Sequence, residues 1–269
     1  MNYDKYLKLC REKYKTDMGL EILPSLNDFY DDPVVRVPIE SFSDTYMESI
    51  LAVKDRIKKH FDENPNSPMA EYPDIFDFET ELLNISNELV GWLESERYGC
   101  HLYVDKIYIY RTYPLEERVS SYIWHYDNNP EEVVKNIIYL TDVTEKNSPF
   151  EYLMDKDGRG VLFESTRRGT EMWKPVANNS RLVDEVKYLF ANGYTSKKVV
   201  GSIGTTTSFN NDAGHRVNPI LEGYRDVINI RVKPTLKKAP KYIGKKYTTG
   251  FEVSGAVNQN PELSWSELV

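Results

Sequence analysis

Three residues far apart in the sequence could together bind a transition metal. His125 and Asp127 are separated by one residue, and His215 follows much later in the chain. Side chains at positions i and i+2 of a strand lie on the same face, so a strand through residues 121–127 would bring the imidazole and the carboxylate together. Two histidines and one carboxylate form the facial triad that holds Fe(II) and leaves coordination positions open for chemistry.

The His-x-Asp pair alone is not specific. With four histidines in the chain, such a pair is expected by chance in roughly one chain of this composition in four. His60 and His101 are interpreted as surface residues or as hydrogen-bonded core residues. His125 and His215 differ from these two because each lies in a segment predicted to be a strand.

An arginine near the second histidine could bind a cosubstrate. Arg225 lies ten residues after His215 and opens the predicted strand 225–232. A guanidinium group binds a carboxylate through two parallel hydrogen bonds. Arg225 therefore fits a cosubstrate that chelates the metal and carries a remote carboxylate. A surface arginine paired with an acid is the commoner situation, and Arg216 and Arg231 compete for the role.

Several segments around these residues resemble the phytanoyl-CoA dioxygenase-like group of Fe(II)/2-oxoglutarate-dependent dioxygenases. The resemblance covers roughly residues 102–235 and includes the reading Trp-His-Tyr-Asp followed by a Tyr-Leu-Thr-Asp-Val strand and an Asn-Ser-Pro turn. The matching segments are 124–129, 135–143, 147–153, 204–209, 214–219 and Arg225. The region 165–196 departs from the family pattern and is interpreted as an insertion.

The resemblance implies both a fold and a reaction. The fold would be a double-stranded β-helix, a cupin-like jelly-roll, with His125, Asp127 and His215 as metal ligands and catalytic centre. Arg225 would hold the far carboxylate of 2-oxoglutarate. The expected reaction consumes O2, releases succinate and CO2, and hydroxylates an unactivated C–H bond of a small molecule, with Fe(II) supplying the oxidative chemistry.

One departure from the family pattern leaves a cosubstrate contact without an assigned residue. Many relatives have a serine two residues after the arginine, where this chain has Val227. Another hydroxyl must then serve, and the candidates are Tyr108, Tyr110 and Thr207. Lys135 could add charge near the cosubstrate or substrate, although a solvated lysine at a strand end is the more common situation.

Composition limits the classes of partner and compartment. The chain has 34 Lys+Arg against 42 Asp+Glu, a formal charge of -8, which disfavours nucleic acid and anionic membranes. Cys10 and Cys100 have no metal-binding or redox spacing, and no apolar run approaches about 18 residues. A reducing, cytoplasmic setting is therefore expected.

The pattern of apolar residues predicts a mainly β fold with a helical flank, organised as one domain over 1–269. Residues 1–100 are expected to be mostly helical, 101–235 to form the jelly-roll core, and 236–269 to form a polar tail. Helices are predicted at 3–15, 43–60, 77–96 and 181–191. Strands are predicted at 102–113, 121–127, 133–143, 150–153, 197–200, 205–211, 215–217 and 225–232.

The insertion is the expected source of substrate selection, since long loops at a barrel mouth often act as lids. Its basic cluster, Arg167, Arg168, Lys174 and Arg181, indicates an anionic substrate as one option. Desaturation, ring formation and epimerisation, which share the same iron chemistry as hydroxylation, stay open on the sequence alone, and so do two other functions. One is a non-catalytic jelly-roll binding protein with a retained metal site, and the other is an oxygenase of peptides or proteins.

Overall fold

The computed structural model describes residues 3–23, 33–65, 69–114, 120–127, 133–163 and 182–238. The α-helices in these residues are α1 (Tyr3–Asp17), α2 (Asp44–Glu63), α3 (Glu79–Trp92) and α4 (Val183–Ala191). The strands are β1 (Val34–Val37), β2 (Met69–Glu71), β3 (His101–Thr112), β4 (Val134–Tyr139), β5 (Phe150–Met154), β6 (Thr195–Val199), β7 (Thr206–Asn210), β8 (His215–Val217) and β9 (Arg225–Thr235).

The strands form two antiparallel sheets that enclose one interior. The major sheet has the order β1-β7-β4-β9-β3-β2, and the minor sheet has the order β6-β5-β8. Phe150 of the minor sheet and Phe209 of the major sheet meet between them, with ring centroids 4.7 Å apart. This arrangement is the jelly-roll with N-terminal helices that the sequence predicts, and the prediction of fold class is confirmed.

The outward face of the major sheet is apolar and carries the helices. Ile107 and Ile109 of β3 lie on this face with Ile228 and Ile230 of β9, and all four are fully buried. They pack in one cluster with residues of α1, α2 and α3. Burying each such side chain stabilises the fold by about 1.5–3 kcal/mol, so the helical flank completes the main core.

The N-terminal flank contains two strands that the helical prediction for residues 1–100 missed. β1 pairs with β7, and β2 pairs with β3, so each adds an edge to the major sheet. Both strands are only three or four residues long, too short to show the alternation that identifies a strand. Their structure depends on the pairing partner rather than on local sequence.

The predicted helix 77–96 is divided into three parts. A 3-10 turn (Ile75–Phe78) precedes α3, and a π-helical turn (Leu93–Tyr98) follows it. Gly99 then adopts a left-handed conformation with φ 58°, the common way to end a helix. The helix predicted at 181–191 is confirmed as α4.

The strand predicted at Ser121–Asp127 is wrong. Residues Ser120–Tyr122 form a 3-10 turn, and His125 alone pairs with a strand, through a single antiparallel bridge to His215. The amide of Asp127 donates to Asn211 O at 3.0 Å. The segment is extended at its ligands, but it does not make the continuous ladder that defines a strand.

Two predicted regions lie partly outside the described residues. The insertion is described only from residue 182 onward, so its basic cluster lies outside the described residues. The tail is described only up to residue 238. The division into flank, core and tail within one domain stays a prediction. Within the described part of the chain, no helix has the length and apolar character needed to cross a bilayer.

Candidate metal centre

The two histidines are oriented in the same way by their own backbone. His125 Nδ1 lies 2.8 Å from Ile123 O, and His215 Nδ1 lies 2.8 Å from Ala213 O. An imidazole that donates from Nδ1 keeps Nε2 as the lone-pair atom, which is the form that coordinates a metal. The two rings lie side by side with centroids 4.3 Å apart, so both are prepared as ligands.

Asp127 completes a compact donor set. One ligand atom from each of His125, Asp127 and His215 lies within 4.8 Å of the others, and His215 Nε2 is 3.6 Å from Asp127 Oδ2. Burial alone would raise the pKa of Asp127, but the charges of Lys135 and both histidines outweigh burial and lower it. The carboxylate is therefore ionised, and its buried Oδ2 lacks a well-aligned hydrogen bond. This donor set fits a divalent metal.

Lys135 contacts Asp127 directly, contrary to the interpretation of a solvated strand end. Its Nζ lies 2.8 Å from Asp127 Oδ2, and its side chain is only 14% exposed. Burial lowers the pKa of Lys135, and the negative charge of Asp127 opposes that effect. Lys135 lies on the inward face of β4 together with Ile137 and Tyr139, which belong to the interior cluster.

Arg225 is a buried cation inside the barrel, only 2% exposed. Its Nη1 donates to the carbonyl of Ser148, and its Nε is buried with no hydrogen-bond partner. Among the described residues, no carboxylate pairs with this guanidinium. A buried charge without a counter-charge is costly, so the site is suited to the carboxylate of a bound ligand.

The charge of Arg225 reaches three tyrosines. Burial raises the pKa values of Tyr110, Tyr122 and Tyr139, and the nearby charge of Arg225 opposes the rise in each. The charge of Asp127 also reaches Tyr110. Tyr110 is thus near both Asp127 and Arg225, and its role as a cosubstrate contact stays a prediction.

Sequence reasoning missed Tyr122, Tyr139 and Asn229. Asn229 hydrogen-bonds Tyr110 through its side chain, and its Oδ1 is buried without a hydrogen-bond partner. Strand alternation could have found two of them, since Tyr139 shares a face with Lys135 and Asn229 shares a face with Arg225. Tyr122 precedes His125 in an irregular turn and gave no such signal.

Thr207 lies on the inward face of β7, opposite Ile137 of β4. It is two residues from Phe209, whose ring is 4.9 Å from the ring of His215. The structure therefore places Thr207 on the wall that faces the metal ligands. Its role as a cosubstrate contact stays a prediction.

The other candidates for the cosubstrate arginine have partners elsewhere. Arg231 Nη2 lies 3.7 Å from the buried Asp105, and its Nη1 lies 3.4 Å from Tyr108 OH. Tyr108 accordingly belongs with Arg231 and not with Arg225. Arg216 Nε donates to Glu151 at 2.7 Å on the outer side of the minor sheet.

No protein-family profile matches the sequence, and no curated protein matches it significantly. Solved structures do match. The epimerase SnoN in complex with Fe3+, alpha ketoglutarate and nogalamycin RO aligns at TM-score 0.50 and 13% identity, over 86% of this chain and 85% of SnoN. At that identity the likeness establishes the fold.

Two further solved structures resemble the chain less strongly. HygX from Streptomyces hygroscopicus with nickel and 2-oxoglutarate bound has a TM-score of 0.46 and 14% identity, over 76% of this chain and 83% of HygX. AviO1 from Streptomyces viridochromogenes Tue57 has a TM-score of 0.42 and 16% identity, over 76% of this chain and 91% of AviO1.

Proposed function

We propose that the protein is an Fe(II)- and 2-oxoglutarate-dependent oxygenase that hydroxylates a small molecule. The observation that carries the proposal is the pairing of a compact His-Asp-His donor set with Arg225. This arginine is buried in the same interior and has no carboxylate partner among the described residues. One ligand with a metal-chelating end and a carboxylate end would satisfy both features.

In this proposal each inward residue has a separate task. His125, Asp127 and His215 would hold the metal, which when bound would activate O2 for oxidation of the cosubstrate and the substrate. Arg225 would bind the far carboxylate of 2-oxoglutarate, with Tyr110 beside it. Charge-assisted hydrogen bonds from a planar guanidinium would fix the orientation of that ligand.

Lys135 and Thr207 would flank the metal-proximal end of 2-oxoglutarate. An ammonium group at 2.8 Å from a ligand carboxylate can attract an incoming anion to the same place. Phe150 and Phe209 pack against His215, with ring centroids 5.4 and 4.9 Å away. These rings would exclude water from one side of the centre, which strengthens electrostatic interactions within it.

The fold shared with SnoN supports the same cosubstrate and a small-molecule substrate, since SnoN was solved with alpha ketoglutarate and nogalamycin RO. SnoN is an epimerase. Product analysis, in which a hydroxylated product carries one added oxygen atom, therefore separates hydroxylation from epimerisation in this chain.

The test is anaerobic titration of the purified protein with Fe(II) and 2-oxoglutarate. We expect the charge-transfer absorption of chelated 2-oxoglutarate, followed by succinate formation when O2 is admitted. Asp127→Ala should remove both signals. Asp184→Ala, which replaces an aspartate whose side chain is 91% exposed, should retain them.

Two results would contradict the proposal. If Asp127→Ala and His125→Ala both keep full succinate formation, the triad is not the metal site. If the wild-type protein binds stoichiometric Fe(II) but forms no succinate with any substrate in a broad small-molecule panel, the protein is a binding protein with a retained metal site.

A further inference from the structure

The residues next to the two histidine ligands meet on the outer side of the minor sheet. Trp124 precedes His125, and Arg216 follows His215. Because the ligand side chains point inward, these neighbours point outward. The guanidinium carbon of Arg216 lies 4.5 Å from the centroid of the Trp124 ring, within the range of a cation–π interaction.

Arg216 is in turn held by Glu151 of β5. Glu151 Oε2 accepts from Arg216 Nε at 2.7 Å and from Asn218 Nδ2 at 2.9 Å, while Oε1 accepts from Ser196 Oγ at 2.6 Å. Glu151 is 3% exposed. Burial alone would raise the pKa of Glu151, but these three hydrogen bonds outweigh burial and lower it. A chain of contacts therefore runs from β6 through β5 and β8 to Trp124.

The backbone around the ligands gives a physical reason for this chain. His125 and His215 exchange two backbone hydrogen bonds, of 2.9 and 2.8 Å, and among the described residues this is the one β-bridge between residues 120–127 and β8. One bridged residue pair only weakly restrains the twist of the segment through His125 relative to β8. Trp124 also packs with Leu182 and Val186, in a cluster that includes α4.

We infer that Trp124, Arg216 and Glu151 are positioning residues that fix the mutual orientation of the two histidine ligands from outside the barrel. The inference rests on the proposed metal site and assigns no contact with substrate. Arg216 acts through its planar fork, which binds Glu151 on an edge while its face covers the indole. A lysine at this position would keep the charge but lose that geometry.

The test measures affinity for Co(II) alone, by the visible absorption of the bound ion, together with the melting temperature of the metal-free protein. Arg216→Lys and Glu151→Gln should each weaken Co(II) binding about tenfold, as is typical when a group behind a metal ligand is lost. The double variant should have about the same Co(II) affinity as the single variant that binds Co(II) less tightly, because both substitutions break the same chain of contacts.

Arg56→Lys is a matched control. Arg56 also pairs with a glutamate, Glu81 at 3.3 Å, and also covers an aromatic ring, Phe78 at 4.3 Å. It lies on α2, on the helical side of the major sheet. It should leave both Co(II) affinity and the Co(II) spectrum unchanged.

The outcomes are distinct. Weaker Co(II) binding with an altered spectrum, at a melting temperature near that of the Arg56→Lys protein, supports the inference. Unchanged Co(II) binding in both Arg216→Lys and Glu151→Gln overturns it while leaving the proposed function intact. A wild-type protein that binds no Co(II) overturns the metal site itself. If Glu151→Gln fails to fold, Arg216→Lys decides alone, because its side chain is 26% exposed.

Discussion

The two faces of the major sheet have opposite chemistry although the same strands make both. On β9, Ile228 and Ile230 face the helices, whereas Arg225 and Arg231 face the minor sheet. The alternation of side chains along a strand allows this separation within a few residues. One strand thus contributes to the main core and to the candidate site at the same time.

The two faces also differ in how their buried charges are paired. The outward face is mainly apolar, and its buried charges, Arg111 and Asp226, pair with each other through hydrogen bonds of 2.7 and 2.8 Å. The inward face contains buried polar atoms without hydrogen-bond partners, including Arg225 Nε and Asn229 Oδ1. Such atoms are costly unless a ligand satisfies them. The apolar face therefore supplies the stability that allows the inward face to retain unpaired polar groups to which a ligand can bind.

The largest effect is expected from removing a metal ligand on the inward side. His215→Ala should weaken metal binding more than about 100-fold, since losing a direct ligand exceeds the roughly 10–100-fold cost of losing a group behind one. Calorimetric titration with Ni(II) measures this. The rise in melting temperature that saturating metal gives the wild-type protein should also disappear. A variant that keeps that rise would show that the metal binds elsewhere.

The next largest effect is expected from truncating a buried side chain on the outward face. Ile230→Ala should lower the free energy of unfolding by about 2–5 kcal/mol, because a fully buried side chain leaves a cavity. Urea denaturation measures it, and metal affinity of the native protein should not change. Ile22→Ala, at a side chain that is 81% exposed, should stay within about 0.5 kcal/mol of wild type. Equal losses in both variants would refute this assignment of the core.

A smaller effect separates two arginines on the inward face. Arg225→Ala should weaken 2-oxoglutarate binding to the metal-loaded protein by about 10–100-fold, the value of one or two hydrogen bonds to a charged group. Metal affinity should be retained. Arg231→Ala is the comparison, because Arg231 already pairs with Asp105. If Arg231→Ala gives the larger loss, the cosubstrate site is assigned to the wrong arginine.

The smallest effect is expected in the turn at Ser148, whose carbonyl accepts a hydrogen bond from Arg225. Ser148 has φ 67°, a left-handed conformation that is unfavourable for residues with a Cβ. Ser148→Gly should therefore stabilise the protein by up to about 1 kcal/mol, the gain being limited by the flexibility of glycine in the unfolded chain. Thermal unfolding measures this, and 2-oxoglutarate affinity should persist because the carbonyl remains. A destabilised variant would show that the serine side chain contributes to the turn.

Regular features of this fold were predictable from the sequence. Long alternating strands such as β3 and β9 appear directly in the pattern of apolar residues, and the jelly-roll followed from the resemblance. The clustering of His125, Asp127 and His215 was predictable because two histidines and one carboxylate are a specific combination of residue types. The strand predicted around His125 was nevertheless wrong, since one bridge can hold a ligand in place without a strand.

Other features depend on pairings that no local pattern reports. β1 and β2 exist through their edges with β7 and β3. The contact of Lys135 with Asp127 and the position of Tyr122 near Arg225 depend on how the sheets close. Strand alternation predicts which face a residue occupies, but not which distant residue it meets there.

The bridge between His125 and His215 also has a consequence for folding. It joins positions separated by about 90 residues, and closing a loop of that length is entropically costly and slow compared with local contacts. The donor set can form only after both sheets have closed around the interior. Metal binding would therefore be a late event in folding. Refolding monitored by metal uptake should lag behind refolding monitored by burial of the helical core.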